Sequence, residues 1–320
     1  MFNLPKIVMG TWQAGKSDWA GIDDQEIIAA IQASYDNGIT AFDTAAVYGN
    51  GHSERVLGEA LKKMRPKTTI ISKAPFADLS YDGVLKACEQ SLKNLQTTYL
   101  NVYLVHWPAG SFGSKKVPLA ETMKAMQYLK EQGMAIHIGV SNFGGDLLKQ
   151  TRELAEISVV QSPYSLFWRQ VEDDILPFCR QNDMNFMAYS PLAQGLLTGR
   201  FRQGHTFPDG DHRKGNRLFQ GDNFVRAQQA LDVLEIMARE KQISMAQLAI
   251  AWACNHANVS AVVGARNAQQ AENNAKAGKV ELAEVDMQAL DKISRLVTVG
   301  IDKNPVLWGA EKGDKSNFIK

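Results

Sequence analysis

Cysteine is scarce in this chain. Three residues in 320, Cys88, Cys179 and Cys254, are odd in number and far apart. That excludes a disulfide framework and points to reduced thiols in a cytoplasm. No run of about 18 apolar residues is present, which argues against a membrane-spanning helix. Charge of one sign is lacking too: 35 Lys and Arg stand against 34 Asp and Glu, a formal net charge of +1. Neither nucleic acid nor a membrane surface finds compositional support as a partner. The start, MFNLPKIVMG, lacks a cationic segment leading into a long apolar one, so no signal peptide is expected. His52, His137, His205, His212 and His256 show no metal-ligand spacing, and no metal is expected. Short repeats and low-complexity segments are absent as well. The expectation is a soluble cytoplasmic protein.

What is present is an alternation. Apolar, β-branched runs at 6–10, 40–44, 69–73, 100–106, 135–141, 158–162, 185–190 and 259–264 are each followed by a stretch of helical character. The first such stretch has Asp23 placed to cap it, Glu26 three residues on, an apolar stripe at Ile27, Ile28 and Ile31, and Gly38 to end it. Later helices are expected near 82–95, 119–132, 146–155, 172–182, 225–241, 244–255, 268–277 and 285–296. Eight strand–helix units predict an α/β fold, a single-domain (β/α)8 TIM barrel over 1–320. Repeat counting alone leaves an open doubly wound sheet as the alternative. The segment 199–223 reads as a long loop after strand 7, and 303–320 as a polar tail.

The stretch FDTAAVYGNGHSERVLGEAL (42–61) resembles a strand, a glycine turn and a helix, as in a dinucleotide-binding turn. Glu54 occupies the place of the third glycine, however, and Asp43 and Tyr48 are foreign to such a turn. Polar residues at the other strand ends explain the anomaly: Lys73, His106, Ser141 and Asn142, Gln161, Tyr189, and Gly264 to Arg266. In a parallel barrel these ends share one face, where catalytic residues gather. Tyrosine, lysine, histidine and aspartate together suit proton transfer to a carbonyl. A nearby ammonium lowers the pKa of a phenol from about 10, and a buried lysine needs a counter-charge that Asp43 can supply. None of these groups can deliver a hydride, so a redox reading requires a nicotinamide cofactor.

With GTW (10–12), SK (72–73), LVHWP (104–108), IGVSNF (138–143), QSPYSL (161–166), YSPLAQGLLTGR (189–200) and VGARNAQQAENN (263–274), the chain resembles the aldo-keto reductases over nearly its whole length. The segment FPDGDHR (207–213) is most similar to bacterial reductases close to potassium-channel β subunits. The resemblance implies an NADP(H)-dependent reductase of small-molecule carbonyl substrates. It implies a catalytic tetrad of Asp43, Tyr48, Lys73 and His106. Ser141, Asn142 and Gln161 would hold the carboxamide, and Tyr189 would stack on the nicotinamide. Ser190, Leu192, Gly195, Leu197 and Gly199 would line the pyrophosphate, mostly through backbone. Gly264, Arg266, Gln270 and Asn274 would face the adenosine and its 2′-phosphate. Trp12 and Trp107 adjoin the active face and are expected to line the substrate pocket. A non-catalytic, cofactor-binding regulatory subunit is the competing expectation. Family members commonly carry a longer N-terminal hairpin across the barrel bottom, and few residues precede strand 1 here, which leaves that closure open.

Overall fold

A computed structural model describes residues 2–17, 19, 21–209 and 211–301, so the expected 303–320 tail lies outside the described residues. Eight strands, β1 (Ile7–Gly10), β2 (Ala41–Asp43), β3 (Thr69–Ala74), β4 (Leu100–Val105), β5 (Ala135–Ser141), β6 (Val159–Pro163), β7 (Asn185–Tyr189) and β8 (Val259–Gly264), pair in parallel and in chain order. β1 also pairs with β8, from Ile7 opposite Ala261 to Gly10 opposite Gly264, which closes the ring and removes the open-sheet alternative.

Strand alternation divides the apolar residues into two cores. Val8, Ala41, Ile71, Val102, Leu104, Val159, Met187 and Val262 fill the lumen. Their strand neighbours, such as Phe42, Ile70 and Tyr103, point outward against the helices. Those helices are α1 (Asp24–Asp36), α2 (His52–Leu61), α3 (Tyr81–Asn94), α4 (Leu119–Glu131), α5 (Gly145–Leu154), α6 (Ile175–Gln181), α7 (Gly221–Glu240), α8 (Met245–Cys254), α9 (Ala268–Ala277) and α10 (Glu284–Thr298). Asp23 caps α1 by accepting from the amides of Gln25 and Glu26, and Gly38 leaves it at φ +91°.

One helix begins later than the sequence pattern suggests. A 3-10 turn occupies Gln170–Glu172, and α6 starts only at Ile175. Pro177 explains the shift, because a residue without an N–H is tolerated in the first turn of a helix and not in its interior. Between β7 and α7 lie three short 3-10 turns, Ala193–Thr198, His212–Gly215 and Arg217–Phe219.

Among the described residues, the segment ahead of β1 covers the barrel bottom. Phe2 and Leu4 pack against the lumen core, and the Phe2 ring stacks on His137 with centroids 3.9 Å apart. Asn185, the first residue of β7, fixes this segment: its Oδ1 accepts from the Leu4 amide at 3.0 Å, and its Nδ2 donates to the Phe2 carbonyl at 2.9 Å. Phe2→Ala is expected to cost about 1–2 kcal/mol, since the ring is only half-buried. The midpoint of urea unfolding should fall while kcat is unchanged, and an unshifted midpoint would show that the ring does not brace the floor.

Candidate active site

The C-terminal ends of β2, β3 and β4 bring three chemical groups together, and the loop after β2 adds a fourth. Lys73 is fully buried, and its Nζ donates to Asp43 Oδ2 at 2.7 Å, to the Thr44 carbonyl at 2.7 Å and to the Tyr48 hydroxyl at 3.4 Å. Three acceptors around one ammonium satisfy all of its protons. Burial pushes the Lys73 pKa below the ordinary lysine value, while Asp43 and, as a smaller influence, Glu54 push it back up. The His106 ring stands edge-on to Tyr48 with centroids 5.8 Å apart. Burial first, and the Lys73 charge second, hold His106 far below its ordinary pKa, so it is a neutral imidazole. Its Nδ1 is buried with no hydrogen-bond partner among the described residues.

The loop carrying Tyr48 is held by close backbone packing. A Cβ on Gly15 would lie 2.7 Å from the Tyr48 carbonyl carbon, and one on Gly49, at φ +60°, would run into the Gly15 backbone. Ser53, in the first turn of α2, ties the loop to both strands through Thr11 and Thr44. The glycines of GNG thus permit two loops to touch beside the tyrosine.

On the far side of the mouth, Asn142 sits in the left-handed region at φ +63°. Its Nδ2 donates to the His106 carbonyl at 3.0 Å and to Ser141 Oγ at 2.9 Å, and its Oδ1 accepts from the Tyr189 hydroxyl at 2.9 Å. Gln161 is turned toward the other group: its Nε2 donates to Asp43 Oδ1 at 2.9 Å. After β7, Ser190, Ala193, Gln194 and Gly195 all have positive φ, which makes a tightly wound turn. The amides of Gly195 and Leu197 both donate to the Leu192 carbonyl, and that of Gly199 to Leu196. These residues therefore shape the turn, with their own N–H groups already committed.

After β8, Asn267 caps α9, Asn274 Nδ2 donates to the Gly264 carbonyl at 3.1 Å, and Gln270 Oε1 accepts from the Arg266 amide at 3.0 Å. The Arg266 guanidinium lies 5.0 Å from the Trp19 ring centroid, and that of Arg213 lies 5.7 Å from the same centroid. Burial lowers the Arg266 pKa, as do the charges of Arg213 and Arg200, with Asp211 opposing. Arg213 is paired with Asp211 at 2.6 Å, so Arg266 and Arg200 leave an excess of positive charge that an anion would balance. The donor set there fits a phosphate-bearing ligand.

Trp12 is half-buried, tilted toward Tyr48 at 6.3 Å and edge-on to Trp19 at 5.3 Å. Trp107 is buried, with its ring edge-on to Phe112 at 5.1 Å. Two participants escaped the sequence reading, Trp19 and Arg213. Trp19 gives no sequence signal of its own, Arg213 enters only as the last residue of FPDGDHR, and nothing in the sequence says that these loops meet.

A closed parallel barrel with Asp, Tyr, Lys and His converging at its C-terminal face defines a class, the barrel oxidoreductases that act on carbonyl groups. The chain belongs to the aldo/keto reductase family, whose family model matches residues 6–295. It is 33% identical over 279 residues to the aldo-keto reductase YhdN of Bacillus subtilis, covering 83% of each chain. It is 28% identical over 305 residues to an NADH-specific methylglyoxal reductase of Escherichia coli, covering 88% of this chain and 92% of that one. Among solved structures, a glycerol dehydrogenase from Gluconobacter oxydans superposes with a TM-score of 0.86 at 32% identity, over 93% of this chain and 94% of that one. An aldo/keto reductase from Klebsiella pneumoniae, solved in complex with NADP and acetate, gives 0.74 at 32% identity, over 91% and 92%.

Proposed function

We propose that this protein is an NADPH-dependent reductase of aldehydes or ketones in which Tyr48 is the general acid. The observation that carries the reading is the Lys73 ammonium, 3.4 Å from the Tyr48 hydroxyl and paired with Asp43 at 2.7 Å. An ammonium beside a phenol favours the phenolate and brings the hydroxyl closer to the working range of a proton donor. Neutral His106 is a hydrogen-bond donor that can orient a carbonyl oxygen toward Tyr48. When bound, the cofactor supplies the hydride. Ser141, Asn142 and Gln161 would hold its carboxamide and Tyr189 its nicotinamide face. Ser190, Leu192, Gly195, Leu197 and Gly199 would form the turn over the pyrophosphate, and Gly264, Arg266, Gln270 and Asn274 would meet the adenosine end. The solved relative with bound NADP supports NADP(H) as the cofactor. Trp12 and Trp107 would give the substrate an apolar wall. Three buried free thiols suit a reducing cytoplasm, and no helix among the described residues is long and apolar enough to cross a membrane.

The direct experiment mixes purified protein with NADPH and a reactive aromatic aldehyde and follows the loss of NADPH absorbance. Binding without oxidation would replace this reading with the non-catalytic regulatory subunit.

Discrimination between NADPH and NADH is assigned to Arg266, because the 2′-phosphate is their only chemical difference. A charged hydrogen bond contributes about 1.5–3 kcal/mol, or roughly 10- to 150-fold in affinity. Arg266→Ala is expected to weaken NADPH binding by at least about tenfold and leave NADH binding nearly unchanged. Equal losses in fluorescence titrations of both cofactors would withdraw the assignment.

A further inference from the structure

Glu54, in the first turn of α2, is a carboxylate with no exposure to solvent. Its two oxygens are held by neutral donors: the Ser72 hydroxyl to Oε1 at 2.7 Å and the Asn94 amide to Oε2 at 2.8 Å. Accepting at both oxygens suits the ionised form. A buried carboxylate held only by neutral donors is costly, so a nearby positive charge should compensate it. Ser72 and Lys73 are neighbours on β3, and alternation sends Ser72 out toward α2 while Lys73 points into the mouth. Burial lowers the Lys73 pKa, and the charges of Asp43 and, more weakly, Glu54 oppose that lowering.

We infer that Glu54 is a positioning residue for proton transfer, a carboxylate behind β3 whose negative charge holds Lys73 as the ammonium. The inference rests on the reading of Lys73 and Tyr48 given above. Around Lys73 the ionisable groups are Asp43 on β2, Tyr48 in the loop after β2 and His106 after β4, with Tyr189 of β7 close to Tyr48. Near Glu54 they are Cys88 on α3, which also feels Glu89 of the same helix, and Tyr103 on β4. Burial pushes the Cys88 thiol up to about 12, with Glu89 and Glu54 adding to the effect. Burial, then Cys88 and Glu54, raises Tyr103 far above its ordinary value. Neither thiol nor phenol ionises in the working range. Asp43 and Glu54 are therefore the two carboxylates acting on Lys73, one from inside the barrel and one from behind the strand.

Removing a negative charge makes the ammonium lose its proton more easily and makes the phenolate easier to form. Both changes have the same sign. In Glu54→Gln the alkaline limb of kcat/KM for NADPH-dependent reduction of 4-nitrobenzaldehyde is expected to move down by about half a pH unit to one unit. Asn94→Lys, at a half-exposed site, neutralises Glu54 in place and is expected to move the limb in the same direction. It carries the test if Glu54→Gln does not fold. Glu54→Asp keeps the charge and is expected to restore the limb whatever its stability. A limb that stays put in the folded neutralised variants would overturn the inference, as would a Glu54→Asp limb displaced as far as that of Glu54→Gln. If Tyr48→Phe is fully active, the underlying reading fails. If Tyr48→Phe is inactive and the limb stays put, only the role of Glu54 fails.

Discussion

Tyr48→Phe is expected to lower kcat by at least about 100-fold and up to roughly 10,000-fold, the usual value of a positioned general acid. The affinity for NADPH should change little. The substitution deletes one oxygen and keeps the ring that packs against Trp12 and His106. The fold therefore has no reason to weaken, and a normal thermal melt is part of the expected result. Steady-state kinetics with a reactive aldehyde, alongside fluorescence titration of NADPH, separate the two quantities. Turnover near that of the unmodified protein would remove Tyr48 from the mechanism.

Lys73→Met should be at least as damaging to turnover, with a different signature. Without the ammonium, the Tyr48 phenolate loses the positive charge that favours it. The residual rate of alcohol oxidation, which needs the phenolate, is expected to rise with pH across the alkaline range. An unchanged pH profile would contradict the coupling of the two residues. Stability should fall as well, because Asp43 would remain 3% exposed with Gln161 as its side-chain donor. Breaking a buried pair from one side typically costs about 3–5 kcal/mol. The double variant Asp43→Asn, Lys73→Met is therefore expected to regain much of the stability and none of the turnover. Recovery of activity in the double variant would mean that Lys73 serves the fold alone.

The parts of this molecule that were legible in the sequence share a physical cause. Barrel strands are short, apolar and β-branched, and Asp43, Lys73 and Gln161 stand out because they interrupt or end such runs. The tetrad could be assembled from strand ends before any distance was known, and the structure brings all four groups to one mouth. The start of α6 was less visible, since the pattern of 172–182 hides the requirement that Pro177 lie in a first turn. Glu54 was visible only as the wrong residue for a phosphate turn. Its role depends on Ser72 and Asn94, far away in the chain and on other elements. Closure of the floor was open for the same reason, because the link from Asn185 to Phe2 and Leu4 spans most of the sequence.

That floor has a practical side. Phe2 and Leu4 enter the barrel at the end opposite Tyr48 and Lys73, and the Asn185 side chain anchors their backbone there. A linker attached ahead of Phe2 leaves from beneath the strands. Protein immobilised on a bead or an electrode through such a linker presents its mouth to the solution. Diffusing substrate then meets the catalytic face directly, and crowding at the support falls on the inert end.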